Sequence, residues 1–348
     1  MRIRTVTRLA ATATALVAAL ALAGCGSAGD APAAGPGAPV KLGINPAQVQ
    51  YLPIMLAADK GYFRDAGVDV QVVPYQGSAN AQIPLLARGD IDLSPAVAGP
   101  SLFNQYSQGF RIKLLANVTA PKPGYRDGVV FVVRKDVWDS GRVHTIADLK
   151  GLEVDGSAEG NPVDFLIREA LATNGLAPAD VSLTHNARTP SDSVEFLRGK
   201  VVDVTAMSEP SATQAEQQGL GVRWLGYQDV IPWFQETFLA ASETFAQERP
   251  DDARKVMAGY LRAVEEINGA QGKWTPDLLA VAAKWTGQST DVLTAMGGLM
   301  YWNAQGGVDQ AGLDRVQKFW LDTKLVRSAV PIADLVDTSV AAGPASAR

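Results

Sequence analysis

YLPIMLAADKGYFRDAGVDVQVVPYQGSANAQIPLLARGDID, residues Tyr51 to Asp92, reads as a helix, a strand, a glycine turn, a second helix and a second strand. Ile54, Met55, Ala57 and Ala58 make an apolar helical face. Lys60-Gly61 ends it, because glycine accepts the left-handed conformation that closes a helix. Val68 to Val73 alternates as a strand. Gln76-Gly77-Ser78 then turns into a helix carrying Ile83, Leu85 and Leu86, which puts free backbone N–H groups just beyond a strand's carboxyl end. Open α/β sheets bind ligands there. Pro84 would fall inside a helix begun at Ser78, so Asn80 is the expected cap and Ser78 is left free for a ligand.

Outside this stretch, Val40 to Ile44 reads as the first strand, and Asn45 to Gln50 as the loop leaving it at the same edge of the sheet. Asn45, Gln48 and Gln50 are candidate contacts there, although Asn45-Pro46 is equally a plain turn. Ile91 to Val97 is a buried strand, and Gly99-Pro100-Ser101 opens a further helix. Arg111 to Val118 is the next strand. Val129 to Val133 is continuous and β-branched, as a strand covered on both faces would be. A second copy of the plan follows in Gly151 to Asp155, the helix Pro162 to Thr173 begun by Asn161-Pro162, and the elements Val181 to Thr184, Ser193 to Arg198 and Val201 to Thr205. Arg198-Gly199 followed by Asp203 echoes Arg88-Gly89 followed by Asp92, with one residue more. Val222 to Tyr227 is a strand, and Ile231-Pro232-Trp233-Phe234 an aromatic loop. From Phe245 onward the pattern is helical, with Ala253, Val256, Met257, Tyr260, Leu261, Val264 and Ile267 on one stripe. Further helices follow Thr275-Pro276-Asp277 and run from Leu313 to Leu325.

Several of these residues also carry a family pattern: Tyr51-x-Pro53, Ala58 to Phe63, Ala66 to Val70, Gly77-Ser78, Arg88 to Asp92, Ile146 to Gly151 and Glu209-Pro210. In them the chain resembles solute-binding proteins of the nitrate, taurine, sulfonate and thiamine-pyrimidine type, which serve ATP-driven importers. The resemblance implies an α/β, two-lobed periplasmic-binding-protein fold of type II, with two crossover strands and the helical C-terminal part packed on the first lobe. Lobe I would comprise residues 40–130 and 238–337 and lobe II residues 131–237, with Val129 to Val133 and Thr237 to Ala241 crossing between them. Residues 338–348 form a tail.

The chain has 348 residues, 47% of them hydrophobic and 19% charged, enough to bury a large core in two lobes. Residues 1–24 have a basic start, an apolar run of 15 residues from Leu9 to Ala23, and then Leu22-Ala23-Gly24-Cys25. That run is shorter than the ~20 residues that span a bilayer and looks like a bacterial lipoprotein signal. Cys25 is the single cysteine and the expected site of lipid attachment, with residues 25–39 as a flexible tether. Removing the leader takes the net charge from −5 to −8, which argues against a nucleic-acid partner.

Chemistry-bearing motifs are sparse. His144 and His185 are the only histidines and read as surface or structural, and no phosphate loop with a lysine is legible. No cofactor or metal is expected. Fungal relatives that make the thiamine pyrimidine use a cysteine-rich motif that this chain lacks, and two-lobed menaquinone-pathway enzymes are cytoplasmic. The loops suit solute capture instead. Gly77, Ser78 and Ala79 in one lobe and Ser157, Gly160 and Asn161 in the other each lead from a strand into a helix, where an anion is favoured. Ser78, Asn80 or Asn161 could instead simply cap their helices. Val97 and Ala98 end a strand at the same edge, and Tyr51 and Trp233 are aromatic candidates for a cleft wall. Ser208 and Glu209 match a family position that often faces the cleft, though relatives often carry an aromatic where Ser208 stands. Arg126 and Arg188 lie in loops and could neutralise an anion.

The expected function is that of the extracytoplasmic, lipid-anchored solute-binding component of an importer. It would be a monomer working with a permease and an ATPase, and would capture a small organic anion or heteroaromatic. The alternatives are a small-molecule sensor subunit for a signalling partner, or an enzyme on the same fold.

Overall fold

The computed structural model describes residues 37–187, 189–337, 339 and 340. Cys25, the leader, most of the tether, Arg188 and most of the C-terminal tail lie outside the described residues.

Ten strands form two five-stranded sheets. They are β1 (Val40–Ile44), β2 (Val70–Pro74), β3 (Leu93–Val97), β4 (Ile112–Asn117), β5 (Val129–Arg134), β6 (Glu153–Asp155), β7 (Ser182–Thr184), β8 (Val204–Ser208), β9 (Gly221–Gly226) and β10 (Thr237–Ser242). The first sheet runs β2-β1-β3-β10-β4 and the second β7-β6-β8-β5-β9. In each, three strands are mutually parallel, and the fourth in order is antiparallel to both its neighbours. The second lobe therefore repeats the first.

β5 lies wholly in the second sheet and β10 wholly in the first. The chain thus crosses between Asn117 and Val129 and returns between Gly226 and Thr237, not within the strands as boundaries after 130 and 237 supposed. The two strands anchor the crossings rather than making them. Residues of β10 are all buried, as a strand sandwiched on both faces requires.

The repeated Arg-Gly…Asp pattern has a structural cause. Asp92 Oδ2 accepts from Lys41 N at 2.8 Å, and Asp203 Oδ2 accepts from Glu153 N at 3.1 Å. Each aspartate therefore ties the start of the third parallel strand to the start of the first. The same residues' carbonyls accept from Ser242 N and Arg134 N, both at 2.8 Å, which seats the far end of the antiparallel strand. The glycine before each aspartate ends a helix, and Gly89 does so at φ 73°.

The helix Leu52–Lys60 ends at Gly61, φ 75°, as expected. The helix expected from Ser78 is broken. A 3-10 turn, Ala79–Gln82, leads into Ile83–Arg88, and Pro84 sits in that helix's first turn, where its missing N–H costs nothing. In the C-terminal part, Pro250–Gly269 and Pro276–Thr286 pack on Leu52–Lys60 in the first lobe. The helix Gln310–Asp322 also reaches the second lobe, where Phe319 and Trp320 meet Phe165 with ring centroids 5.0 and 5.9 Å apart.

Asp203→Ala should remove both the bond to Glu153 N and the 3.0 Å ion pair with Arg134. A loss of about 1.5–3 kcal/mol in urea unfolding is expected, as for a hydrogen bond to a charged group, with Asp203→Asn losing less.

Candidate functional site

The carboxyl ends of the parallel strands in both sheets face a cavity of about 410 Å³ between the lobes, a size suited to a small organic molecule. Its first-lobe wall comes from the loop after β1 (Asn45, Gln48, Gln50, Tyr51), the turn after β2 (Gly77, Ser78, Ala79, Asn80) and the segment after β3 (Val97 to Ser101). Its second-lobe wall comes from Ser157 to Val163, Ser193, and Ala206 to Ser208 at the end of β8. The two crossings supply the floor, through Gly128 and Val129 in one and Glu236 in the other.

Of the loop and cleft-wall candidates read from the sequence, the two arginines aside, Glu209 and Trp233 do not line this cavity and the others, Gln48 among them, do. Glu209 is buried beneath it. Its carboxylate accepts from Thr213 N at 3.0 Å and Oγ1 at 2.7 Å and pairs with Arg223 at 3.0 Å. Glu209 N donates to Gly128 O as Ala98 N donates to Glu236 O, but the partners Thr213 and Arg223 hold the Glu209 side chain within its own lobe. Trp233 packs behind the cleft against Phe165 and Phe234, with the Arg315 guanidinium 4.1 Å from its ring centre. The aromatic loop joins the core instead of walling the site.

The polar side chains have distinct duties. Asn80 does not cap a helix: its Nδ2 donates to Val97 O at 2.9 Å and its Oδ1 accepts from Val97 N at 2.8 Å, which clamps the turn to the end of β3. Ser78 precedes the 3-10 turn without a capping bond and stands exposed at the cavity. Asn161 is a true cap, with Oδ1 accepting from Asp164 N at 2.8 Å. Asp164, fully buried, accepts from Gly160 N at 2.8 Å and from Arg168 Nε at 2.7 Å, and its Oδ1 lies 2.9 Å from His185 Nε2. His185 is thus a structural support of the second-lobe loop. On the other wall the buried Trp302 donates Nε1 to Gln50 O at 2.7 Å, and Gln50 Nε2 donates to the Tyr51 hydroxyl at 3.1 Å. The helical C-terminal part therefore holds a cleft loop in place.

The sequence names two arginines, Arg126 and Arg188, as possible anion partners. The Arg126 guanidinium lies against Gly297 and does not line the cavity. Arg188 is outside the described residues. Glu236 was not singled out in the sequence, though a carboxylate directly ahead of the all-buried run of β10 is a signal. Burial pushes its carboxyl from 4.5 up to about 7. Burial likewise pushes the Tyr51 phenol well above its ordinary value, with the neighbouring Tyr75 adding to the effect.

At the mouth the lobes touch. A Cβ on Gly99 would stand 2.9 Å from Gly160 O, and one on Gly160 would stand 3.0 Å from Pro100 Cγ. Only glycine permits this approach, so the structure is a closed arrangement of the two lobes.

Two mixed sheets with a cleft at their strand ends define the periplasmic-binding-protein type of fold. The chain belongs to the NMT1/THI5-like family, whose profile it matches over residues 48–270. It is similar to the periplasmic aliphatic sulphonate binding protein SsuA of Escherichia coli, with a TM-score of 0.70 and 18% identity over 86% of this chain and 92% of that one. The alkanesulfonate-binding protein SsuA of Xanthomonas axonopodis pv. citri, bound to MOPS, gives a TM-score of 0.67 and 18% identity over 88% of this chain and 100% of that one. In sequence it is 23% identical to YtlA of Bacillus subtilis (strain 168) over 236 residues, 66% of each chain.

Asn161→Ala should lower the stability of the unliganded protein by about 0.5–2 kcal/mol, the worth of a cap, whereas Ser78→Ala should leave its melting curve unchanged. Glu236 gives a pH test. A carboxyl raised in the folded state adds stability that is full below its unfolded value, near 4.5, and is lost as pH rises through about 7. Melting temperature should therefore fall across that window more steeply in the native protein than in Glu236→Gln.

Proposed function

We propose that this protein is the extracytoplasmic solute-binding component of an importer, taking a small organic solute into the interlobe cleft and presenting it to a permease and ATPase. The observation that carries this reading is the cleft itself: loops from both lobes meet around one cavity, so a solute contacts both only when they are closed. Family membership and the sulfonate-binding neighbours support it. The solute range expected from the resemblance, a small organic anion or a heteroaromatic, fits the cavity in size. Binding without turnover is the reading for the cleft, and a monomer is the expected working form.

Anchoring rests on the sequence of residues 1–25, with Cys25 as the acylated residue that tethers the lobes to the outer face of the cell membrane. Among the described residues no helix is long and apolar enough to cross a membrane.

A thermal-shift screen over sulfonates, nitrate, thiamine pyrimidines and flavins tests the function, since a solute at about 100 times its Kd adds roughly 2.7 kcal/mol. For any solute found, Gly99→Val should weaken binding at least about tenfold and abolish ligand-induced compaction in small-angle scattering. Gly99 has extended backbone, φ 170°, so the variant strains closure without straining its own lobe. Full affinity in Gly99→Val would refute closure at this contact. Cys25→Ser should move the protein to the soluble fraction without altering affinity, and membrane retention of that variant would refute the anchor.

A further inference from the structure

We propose that Glu236 selects the solute, and that the cleft prefers a compact ring compound presenting a protonated or NH-bearing nitrogen, such as an amidinium or amine, over an oxyanion. This rests on the cleft being a solute site and narrows what it takes.

Charge is the first ground. Among the described residues lining the cavity there is no Lys, Arg or His, while two carboxylates are present. Glu159 lies at the rim, exposed and 3.6 Å from Arg168. Glu236 lies at the floor, and among the described residues no ion pair reaches it.

The second ground is the state of the backbone donors that a sulfonate or nitrate would need. Gly160 N and Asp164 N are already bonded to side chains of their own loop, and Val97 N is bonded to Asn80. The helices facing the cavity open with Pro100 and Pro162, which have no N–H. The second-lobe helix start that looked suited to an anion from the sequence is thus occupied from within, whereas at the first-lobe turn Ser78 makes no capping bond. Among the described residues an oxyanion buried here would meet like charge and find no counter-ion, a costly combination.

The third ground is the setting of Glu236. It stands at the return crossing, so it belongs to neither wall and touches what lies between them. Tyr51 faces it from the loop after β1, and Tyr227 from the helix Tyr227–Val230. Arg126 and Asp127 share with it a small recess behind the floor, and the Arg126 guanidinium is directed to Gly297. A cationic nitrogen over Glu236 would supply the missing counter-ion, and Tyr51 and apolar side chains such as Val97, Val129 and Met207 would border the ring. Because burial raises the Glu236 carboxyl to about 7, such binding should displace a proton at lower pH.

Titration calorimetry with benzamidine and benzenesulfonate, two probes with the same ring and opposite charge, tests this. Benzamidine should bind and benzenesulfonate should not, and benzamidine should bind about tenfold more weakly at about pH 6 than at about pH 8. Glu236→Gln should lose at least about tenfold in benzamidine affinity together with its pH dependence, while Glu236→Asp keeps the preference for the cation. Melting curves confirm that each variant is folded. Tighter binding of benzenesulfonate, or benzamidine binding untouched in Glu236→Gln, would overturn the proposal. Binding of neither probe would overturn it too. In that case a screen that finds an anionic solute leaves the solute-binding function standing, and a screen that finds none removes that function as well.

Discussion

Everything in this structure hangs on how each sheet accepts a strand from the other pass of the chain. Asp92 and Asp203 do the fastening: a carboxylate holds the first parallel strand, and the same residue's carbonyl holds the far end of the antiparallel strand. At the near ends, Ala98 N and Glu209 N bond the carbonyls of Glu236 and Gly128. Each crossing is therefore pinned at the point where it enters a sheet. Because the antiparallel strands begin beside the carboxyl ends of β3 and β8, both crossings are forced to run under the cleft.

That constraint decides the chemistry of the floor. A loop at a strand end can be replaced or lengthened at little cost, but a crossing residue adjacent to a fully buried strand has few conformations open to it. Glu236 occupies such a position and lines the cavity. The walls in turn are stiffened from behind. Asp164 with His185 and Arg168 supports one, and Asn80 and Trp302 support the other. Ser78, which makes no capping bond, is one polar group of the walls left open to a solute. The aromatic cluster of Phe165, Trp233, Phe234, Phe319 and Trp320 binds the second lobe to the C-terminal helix behind the cleft.

Strands, helix ends and the sheet edge that lines the cavity were legible from local signals, because hydrophobic period, glycine stops and Asn-Pro starts act over a few residues. Asn161 was read as a possible cap and is one. Asn80 was read as a cap and instead bonds a strand end 17 residues away, a partner that no local pattern reveals. Trp233 and Glu209 were placed in the cleft by residue type and family position. Their burial follows from neighbours such as Phe165 and Arg223, which are distant in the chain.

By itself, then, the sequence determined the alternation of strands and helices, the doubling of one plan into two lobes, the family, and most of the residues that border the cavity, since each depends on spacing along the chain. Tertiary structure alone decided where the lobes meet, at Gly99 and Gly160, which donors their own loops had already taken, and that the floor carries a carboxylate with no ion-pair partner among the described residues. Those features are differences between groups brought together from remote positions. Charge and hydrogen-bond saturation are properties of an assembled site, and no single stretch of chain contains them.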